Sequence, residues 1–216
     1  MKDPLNTPDS KRTLILFRHG ETPWNYAGRI QGHLDVPLNA RGRAQAKRLK
    51  PHLARLKIEA ILTSDLCRAW ETAELASPGP HIPIRYDPRL RETFLGPLQG
   101  LTKEELHHHY PESRAALGEG PPFPYLSDEA VQGLGAELPS SVLARAREAI
   151  EEDLHRRPVR ILGISSHGGV IRRLLQHALQ SKVLPPPVPN AALYPIEVDL
   201  LSHEWRMIPV MELARS

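Results

Sequence analysis

Two segments with the residue types of a catalytic site each come directly after an apolar run. Arg-His-Gly at residues 18–20 follows the run 13–17, and His-Gly-Gly at residues 167–169 follows an apolar run that begins at Ile161. Short, continuous apolar runs are typical of buried strands, and open α/β sheets bind ligands at the carboxyl ends of their strands. Two imidazoles placed alike on two strands can therefore meet at one site, beside a cation.

Phosphoryl transfer is the chemistry that these residue types favour. Transfer to an enzyme group needs a nucleophile, positive charge on the non-bridging oxygens and a proton for the leaving oxygen. A histidine is the candidate nucleophile, because histidine can form covalent intermediates, and spacing alone does not decide between His19 and His167. We expect the attacking ring to be neutral, with its other nitrogen donating to a backbone carbonyl. Arg18 presents a planar fork that matches phosphate oxygens, and a helix that starts at Gly168 would add free N–H groups, which favour anions.

Four separated motifs resemble those of the histidine phosphatase superfamily, the phosphoglycerate-mutase-like enzymes. The family's Arg-His-Gly-Glu-Thr, Trp-Asn, Gly-Arg and Gln-Gly are matched in register at residues 18–32. Residues 63–72 resemble its Ser-x-Leu-x-Arg-Ala-x-Glu-Thr motif, and residues 166–169 resemble its Ser-His-Gly-Gly motif. Residues 89–100 resemble its Leu-Arg-Glu…Gly-x-Trp-Glu-Gly motif, with Leu98 and Gln99 in place of Trp and Glu. The resemblance spans nearly the whole chain from Thr13 onward, and the agreement of several motifs makes chance a poor explanation.

This resemblance implies a role for each matched residue. His19 would be phosphorylated, and Arg18 and Arg68 would clamp the phosphoryl oxygens. Glu92 would shuttle the proton, and His167 would donate a hydrogen bond as charge builds up on the phosphoryl group. The implied substrate-binding residues are Arg18, Asn25, Gln31, Gly32, Arg68 and Gly168.

Two of these assignments carry an alternative. Glu71 would either orient Arg68 from the next helical turn or only interact with the helix dipole. Asn25 would either bind phosphate or act as a turn residue.

The leading interpretation is a phosphatase that hydrolyses a small phosphomonoester through a phosphohistidine on His19. A bisphosphoglycerate-dependent phosphoglycerate mutase is the closest alternative, since it shares the fold and the intermediate. The mutases carry a segment that resembles Glu-Arg-His-Tyr-Gly after the acid, and they have a longer insertion. In this chain Glu92 is followed by Thr-Phe-Leu-Gly. That difference favours the phosphatase branch. A non-catalytic phosphate-recognition module is a third alternative, which the full set of catalytic residues disfavours.

No metal and no cofactor are expected. Residues 107–109 are three consecutive histidines, but adjacent residues on a helix point in different directions and make a poor chelate. No group of His, Cys, Asp or Glu has a recognisable metal-binding spacing.

The elements that must position these residues alternate between strand and helix, which favours a mostly parallel sheet with helices on both faces. We therefore expect an α/β fold, a three-layer α/β/α sandwich with one antiparallel edge and a cap insertion over the active site. The predicted strands are 13–18, 59–63, 82–86, 159–165, 191–199 and 205–210, the last two forming a hairpin. The predicted helices are 40–56, 65–77, 102–117, 140–156 and 168–181. Thr102 and Glu105 fit a capping box at the start of the third helix.

A chain of 216 residues favours one domain. We expect residues 1–12 to form a disordered N-terminal tail and residues 13–216 to form a single histidine-phosphatase-like domain. The cap would comprise about 101–139, because 118–139 is rich in Gly and Pro and long loops of this kind are usually functional. Phe123 and Tyr125 would either line the cap or pin it to the core.

Composition and charge limit the partners and the location that we expect for this protein. The single cysteine, Cys67, excludes an intrachain disulfide, and a cytoplasmic location is expected. No apolar run approaches the roughly 18 residues that span a membrane, and residues 1–8 lack the apolar part of a secretory signal. The net charge is +3, and the basic residues of 41–57 alternate with apolar ones, which favours a solvated helix face over a nucleic-acid surface. The expected partner is a small phosphorylated metabolite, neither nucleic acid nor a membrane is expected, and a homodimer is left open.

Overall fold

The computed structural model describes residues 10–109 and 135–208, and they form a six-stranded sheet flanked by helices. The strands are β1 (Lys11–Arg18), β2 (Ala60–Thr63), β3 (Ile84–Tyr86), β4 (Ile161–Ser166), β5 (Leu193–Asp199) and β6 (Trp205–Met207). Their order in the sheet is β3-β2-β4-β1-β5-β6. The first four of that order are parallel, whereas β5 runs antiparallel to β1 and β6 antiparallel to β5. This confirms the prediction of a mostly parallel sheet with one antiparallel edge.

Helices connect these strands. They are α1 (Pro23–Tyr26), α2 (Ala40–Arg55), α3 (Cys67–Ala76), α4 (Lys103–His109), α5 (Pro139–Arg156) and α6 (Gly168–Ala178). Two short 3-10 helices, Pro88–Leu90 and Gly96–Leu98, lie in the connection that leaves β3. The predicted capping box of α4 is present, since the Thr102 N–H donates to Glu105 and the Glu105 N–H donates to the Thr102 hydroxyl.

The side chains of β1 show why the fold has three layers. Leu14 and Leu16 pack into a cluster with residues of α5 and α6. Ile15 and Phe17, which point to the opposite face, pack with residues of α2 and α3. A central parallel strand is buried on both faces, which explains its continuous apolar sequence.

The pairing of β1 with β4 sets the geometry of the site. In the parallel register, Phe17 is opposite Ser165 and Arg18 is opposite Ser166. The residue that follows each of these strands is a histidine. The N–H of His19 donates to the carbonyl of Ser166 at 3.0 Å. The two predicted site segments therefore leave the same edge of the sheet side by side.

Several boundaries differ from the predictions. β1 begins at Lys11, so residues 11 and 12 pair with β5 instead of belonging to a tail. α1 was not predicted. It forms because Thr22 caps it and Pro23 suits a first helical position. Residues 110–134, which hold most of the predicted cap with Phe123 and Tyr125 and the end of helix 102–117, lie outside the described residues. Residues 1–9 and 209–216 do as well.

The basic helix α2 has the predicted amphipathic arrangement. Gly42, Ala46, Leu49 and Leu53 are buried, whereas the basic side chains are exposed: Arg41, Arg43, Lys47, Arg48, Lys50 and Arg55. Across the two described ranges, the helices are too short or too polar to cross a membrane.

Candidate active site

His19 is the first residue after β1 and is 2% exposed. Its Nδ1 lies 2.7 Å from the carbonyl oxygen of Gly20. Because a carbonyl can only accept, Nδ1 carries the proton and Nε2 keeps its lone pair. Burial, with the positive charges of Arg68 and Arg18, holds the pKa of His19 well below its usual range. The ring is therefore neutral at neutral pH, the state that a nucleophile requires.

His167 holds the corresponding position after β4 and is fully buried. Its Nε2 lies 2.9 Å from the hydroxyl of Ser64, while Nδ1 has no hydrogen-bond partner among the described residues. The ring centroids of His167 and His19 are 5.2 Å apart, with the planes at 58°. Burial, then the charge of Arg68, keeps the pKa of His167 well below its usual range. The site thus holds two adjacent neutral imidazoles.

Arg68 is the second residue of α3 and is completely buried. Its Nη1 donates to the carbonyl of Leu34 at 2.8 Å and its Nη2 to the carbonyl of Gly32 at 2.7 Å. Burial lowers the pKa of Arg68 to about 10, so it stays cationic at neutral pH. The prediction that Glu71 orients Arg68 is wrong, because Glu71 pairs with Arg43 at 3.1 Å and backbone carbonyls hold Arg68.

Arg18 ends β1, and its guanidinium lies against the start of α6. Nη1 donates to the carbonyl of Val188, and Nε has no partner among the described residues. A Cβ on Gly168 would lie 3.4 Å from that Nε. Burial lowers the pKa of Arg18, against the opposing effect of Glu92, and the group remains charged at neutral pH.

Glu92 places its carboxylate at the first turn of α6. Oε2 accepts from the N–H of Gly169 at 3.0 Å, and Oε1 accepts from the N–H of Thr93 at 2.9 Å. The sequence predicted an anion site at this helix start, and the carboxylate of Glu92 is the anion that Gly169 binds here. A Cβ on Gly169 would lie 2.3 Å from Oε1, so this close approach depends on glycine.

A cavity of about 360 Å³ joins these groups. His167 is not part of its wall and lies behind it, against the ring of His19. All other predicted site residues line the wall: Arg18, His19, Asn25, Gln31, Gly32, Arg68, Glu92 and Gly168.

Asn25 and Gln31 are held by a shared hydroxyl. Asn25 forms a capping box with Thr22 at the start of α1, and the Thr22 hydroxyl donates to Gln31 Oε1 at 3.0 Å. Asn25 Oδ1 also accepts from Asn190 at 3.3 Å. Since both amide oxygens act as acceptors, the NH2 groups are the donors that these side chains offer to a bound anion. Asn25 therefore lies both in the capping box of α1 and in the cavity wall.

Three residues whose contacts position the site were not predicted: Thr72, Asn190 and Ser64. Thr72 accepts from the Gly20 N–H at 3.0 Å and donates to the carbonyl of Arg68 at 2.7 Å. Asn190 donates to the carbonyl of His19 at 3.0 Å. Ser64, which bonds His167, and Thr72 are both polar residues of the motif at 63–72, so that motif could have identified them. No pattern in the sequence identifies Asn190, because it lies in an irregular segment before β5.

Groups of acidic, histidine or cysteine side chains do not gather into a metal-binding cluster of three within residues 10–109 and 135–208. The rings of His108 and His109 contact each other edge to face, with centroids 5.3 Å apart.

Comparison with known proteins shows the family. The model of the histidine phosphatase superfamily (branch 1) matches residues 14–207. Phosphoglycerate mutase-like protein 4 of Arabidopsis thaliana is 36% identical over 170 residues, covering 78% of this chain and 71% of that protein. The glucosyl-3-phosphoglycerate phosphatase of Mycobacterium tuberculosis is 34% identical over 187 residues, covering 83% and 78%.

A solved structure gives the same answer for the fold. Bacillus stearothermophilus YhfR aligns with a TM-score of 0.80 and 32% identity, covering 92% of this chain and 96% of that one. Given the family match over most of the chain and these similarities, the chain belongs to the histidine phosphatase superfamily.

Proposed function

We propose that this protein is a metal-independent phosphatase that hydrolyses a small phosphomonoester through a phosphohistidine on His19. One observation supports this above all. A neutral imidazole that carries its proton on Nδ1 lies in the wall of a cavity that the partly buried Arg18 and the buried Arg68 also line. A dianionic phosphate fits between these cations, and the imidazole beside it is uncharged and able to attack.

In the first step, Nε2 of His19 attacks the phosphorus and the bond to the ester oxygen breaks. Arg18 and Arg68 offset the charge on the non-bridging oxygens. His167, whose ring lies beside His19, is the proposed additional donor to the phosphoryl group. Glu92 is the proposed general acid, which gives a proton to the leaving oxygen. The products are an alcohol and phosphohistidine.

In the second step, water attacks the phosphohistidine. Glu92, now a carboxylate, takes a proton from that water, and the P–N bond breaks to return His19 and inorganic phosphate. Glu92 ends the cycle protonated, so the two steps balance. The hydrogen bond that Nδ1 donates to the carbonyl of Gly20 keeps the same tautomer of His19 ready for the next cycle.

The test is radiolabelled phosphoenzyme trapping combined with turnover of p-nitrophenyl phosphate in the presence of a chelator. We expect an acid-labile, base-stable phosphoenzyme in the wild type and a loss of turnover on the order of 10³-fold or more in His19→Ala. His52→Ala is the matched control, because His52 is exposed at the end of α2. Unchanged turnover in His19→Ala would rule the proposal out.

The mutase alternative is tested in the same preparation, because a relative is named phosphoglycerate mutase-like. The protein is supplied with a phosphoglycerate and bisphosphoglycerate. Release of inorganic phosphate, with no isomerised product, is expected. Isomerisation that outpaces hydrolysis would assign the protein to the mutases instead.

A further inference from the structure

Arg145 binds the backbone of the segment that carries Glu92. Its side chain projects from α5 and is 19% exposed. Nη1 donates to the carbonyls of Arg89 and Arg91, the second at 2.7 Å, and Nη2 donates to the carbonyl of Glu92 at 3.1 Å. One guanidinium thus binds three carbonyls of residues 89–94, a segment that we call the acid loop.

The remaining donors of Arg145 bind Glu137, which in turn holds the other end of the acid loop. Glu137 accepts from Nε at 2.6 Å and from Nη2 at 2.8 Å. It also accepts from the N–H of Phe94 at 3.1 Å, and its own N–H donates to the Phe94 carbonyl at 2.7 Å. Burial raises the pKa of Glu137, but the bond from Arg145 outweighs that and lowers it. The Arg145–Glu137 pair is therefore charged at neutral pH and grips the loop on both sides of Glu92.

A third side chain completes this support. The Nε2 of His33 lies 2.7 Å from the carbonyl of Glu92 and, since a carbonyl only accepts, donates to it. Its ring packs edge to face on Phe94, with centroids 5.3 Å apart. The carbonyl of Glu92 consequently has two side-chain donors, Arg145 and His33.

The carboxylate of Glu92 is held differently. The donors found for it in the described part of the chain are backbone N–H groups, those of Thr93 and Gly169. The position of the Glu92 backbone therefore determines which atoms the carboxylate can reach. Small displacements of a reacting group have large effects on rate, so whatever fixes the acid loop fixes the efficiency of proton transfer.

We propose that Arg145 is a positioning residue for Glu92, an inference that rests on the proposed function. Its fork and Glu137 hold the acid loop so that the carboxyl group meets the leaving oxygen. Arg145 is absent from the cavity wall, so its loss impairs proton donation and leaves phosphate binding intact. A salt bridge that only stabilised the fold would have no such selectivity.

A leaving-group series separates these roles. Aryl phosphates with good leaving groups, such as p-nitrophenyl phosphate, need no proton, whereas alkyl phosphates do. In Arg145→Lys, which keeps the charge but loses the fork, kcat/KM for alkyl phosphates should fall about 10-fold or more and that for p-nitrophenyl phosphate less than about 3-fold. The plot of log kcat/KM against leaving-group pKa becomes steeper, and inhibition by inorganic phosphate is unchanged. Glu92→Gln should show the same pattern more strongly.

Two further variants make the test decisive. Arg147→Lys is the matched control, because Arg147 is on the same helix and pairs with Glu151 away from the acid loop; its plot should match the wild type. If Arg145→Lys fails to fold, Glu137→Gln is the second variant. It removes the charge that Arg145 pairs with and should also steepen the plot. Equal losses for aryl and alkyl substrates would overturn the positioning role. If the wild type forms no phosphohistidine, the proposed function fails first, so the two failures are distinguishable.

Discussion

The imidazole rings of His19 and His167 lie 5.2 Å apart, each directly after one of two neighbouring parallel strands. Both rings are buried and share the positive field of Arg68, which holds the pKa of each well below its usual range. Two imidazolium rings at this distance would repel each other and the arginines. The cavity wall therefore combines two cations, Arg18 and Arg68, with the neutral ring of His19, against which the neutral ring of His167 packs.

His167→Ala should reduce kcat far more than it weakens phosphate binding. The ring is neutral and lies beside His19, so its contribution is greatest when charge builds up in the transition state. We expect a loss of about 10²–10³-fold in kcat, measured as single-turnover phosphorylation of His19, with inhibition by inorganic phosphate within about 3-fold of the wild type. Ser64→Ala, which removes the hydroxyl bonded to Nε2, should cause a smaller loss. A parallel loss of phosphate affinity in His167→Ala would contradict this role.

Gly169→Ala should lower activity with little effect on stability. A Cβ there would lie 2.3 Å from Oε1 of Glu92 and 3.1 Å from Oγ1 of Thr93. The carboxylate is the free end of a flexible side chain, so it moves away at small cost but loses its place beside the leaving oxygen. Turnover of an alkyl phosphate should fall about 10-fold or more, with the melting temperature nearly unchanged. If turnover of p-nitrophenyl phosphate, which needs no proton, falls as much as that of the alkyl phosphate, the result would argue against displacement of Glu92.

Stability should fall as the pH drops below about 6.5. The pKa of His19 and that of His167 are lowered in the folded state, so the unfolded chain binds more protons there and the free energy of unfolding decreases with falling pH. Each histidine contributes at most about 1.4 kcal/mol per pH unit, until its folded pKa is reached. Urea unfolding over about two pH units, from about 7.5 to about 5.5, measures the slope of the free energy of unfolding against pH around the ordinary pKa of histidine. His19→Gln should flatten it, whereas the exposed His52→Gln should not.

Asp153→Asn should destabilise the fold without changing catalysis. Asp153 on α5 binds Arg85 of β3, with Nε to Oδ1 at 2.7 Å, and both side chains are at least 85% buried. Removing one partner of a buried pair leaves an uncompensated charge, and we expect about 3 kcal/mol lost in denaturant unfolding. Lys11→Gln breaks the pair of the half-exposed Lys11 with Glu197, which Arg206 also binds, and should cost less than about 1 kcal/mol. A changed kcat in Asp153→Asn would be at odds with the absence of Asp153 from the cavity wall.

Local sequence determined the elements and most of the site. Apolar runs bounded by polar residues located β1 and β4, and alternation between strand and helix gave the mostly parallel sheet. The motifs identified His19, Arg68 and Glu92 because phosphoryl chemistry restricts which residue types can serve. The two glycines after His167 marked the start of α6. Glycine is needed at 169 because the close approach of Glu92 leaves no room for a Cβ there.

Tertiary structure decided which partners hold these residues. Arg68 is fixed by the carbonyls of Gly32 and Leu34, not by Glu71, and the backbone of Glu92 is fixed by Arg145. Backbone carbonyls are present at every residue and therefore leave no pattern in the sequence. Which of them an arginine reaches depends on how the loops pack against α3 and α5. The sequence thus identified the candidate reacting groups, and the packing of distant segments determined where they lie.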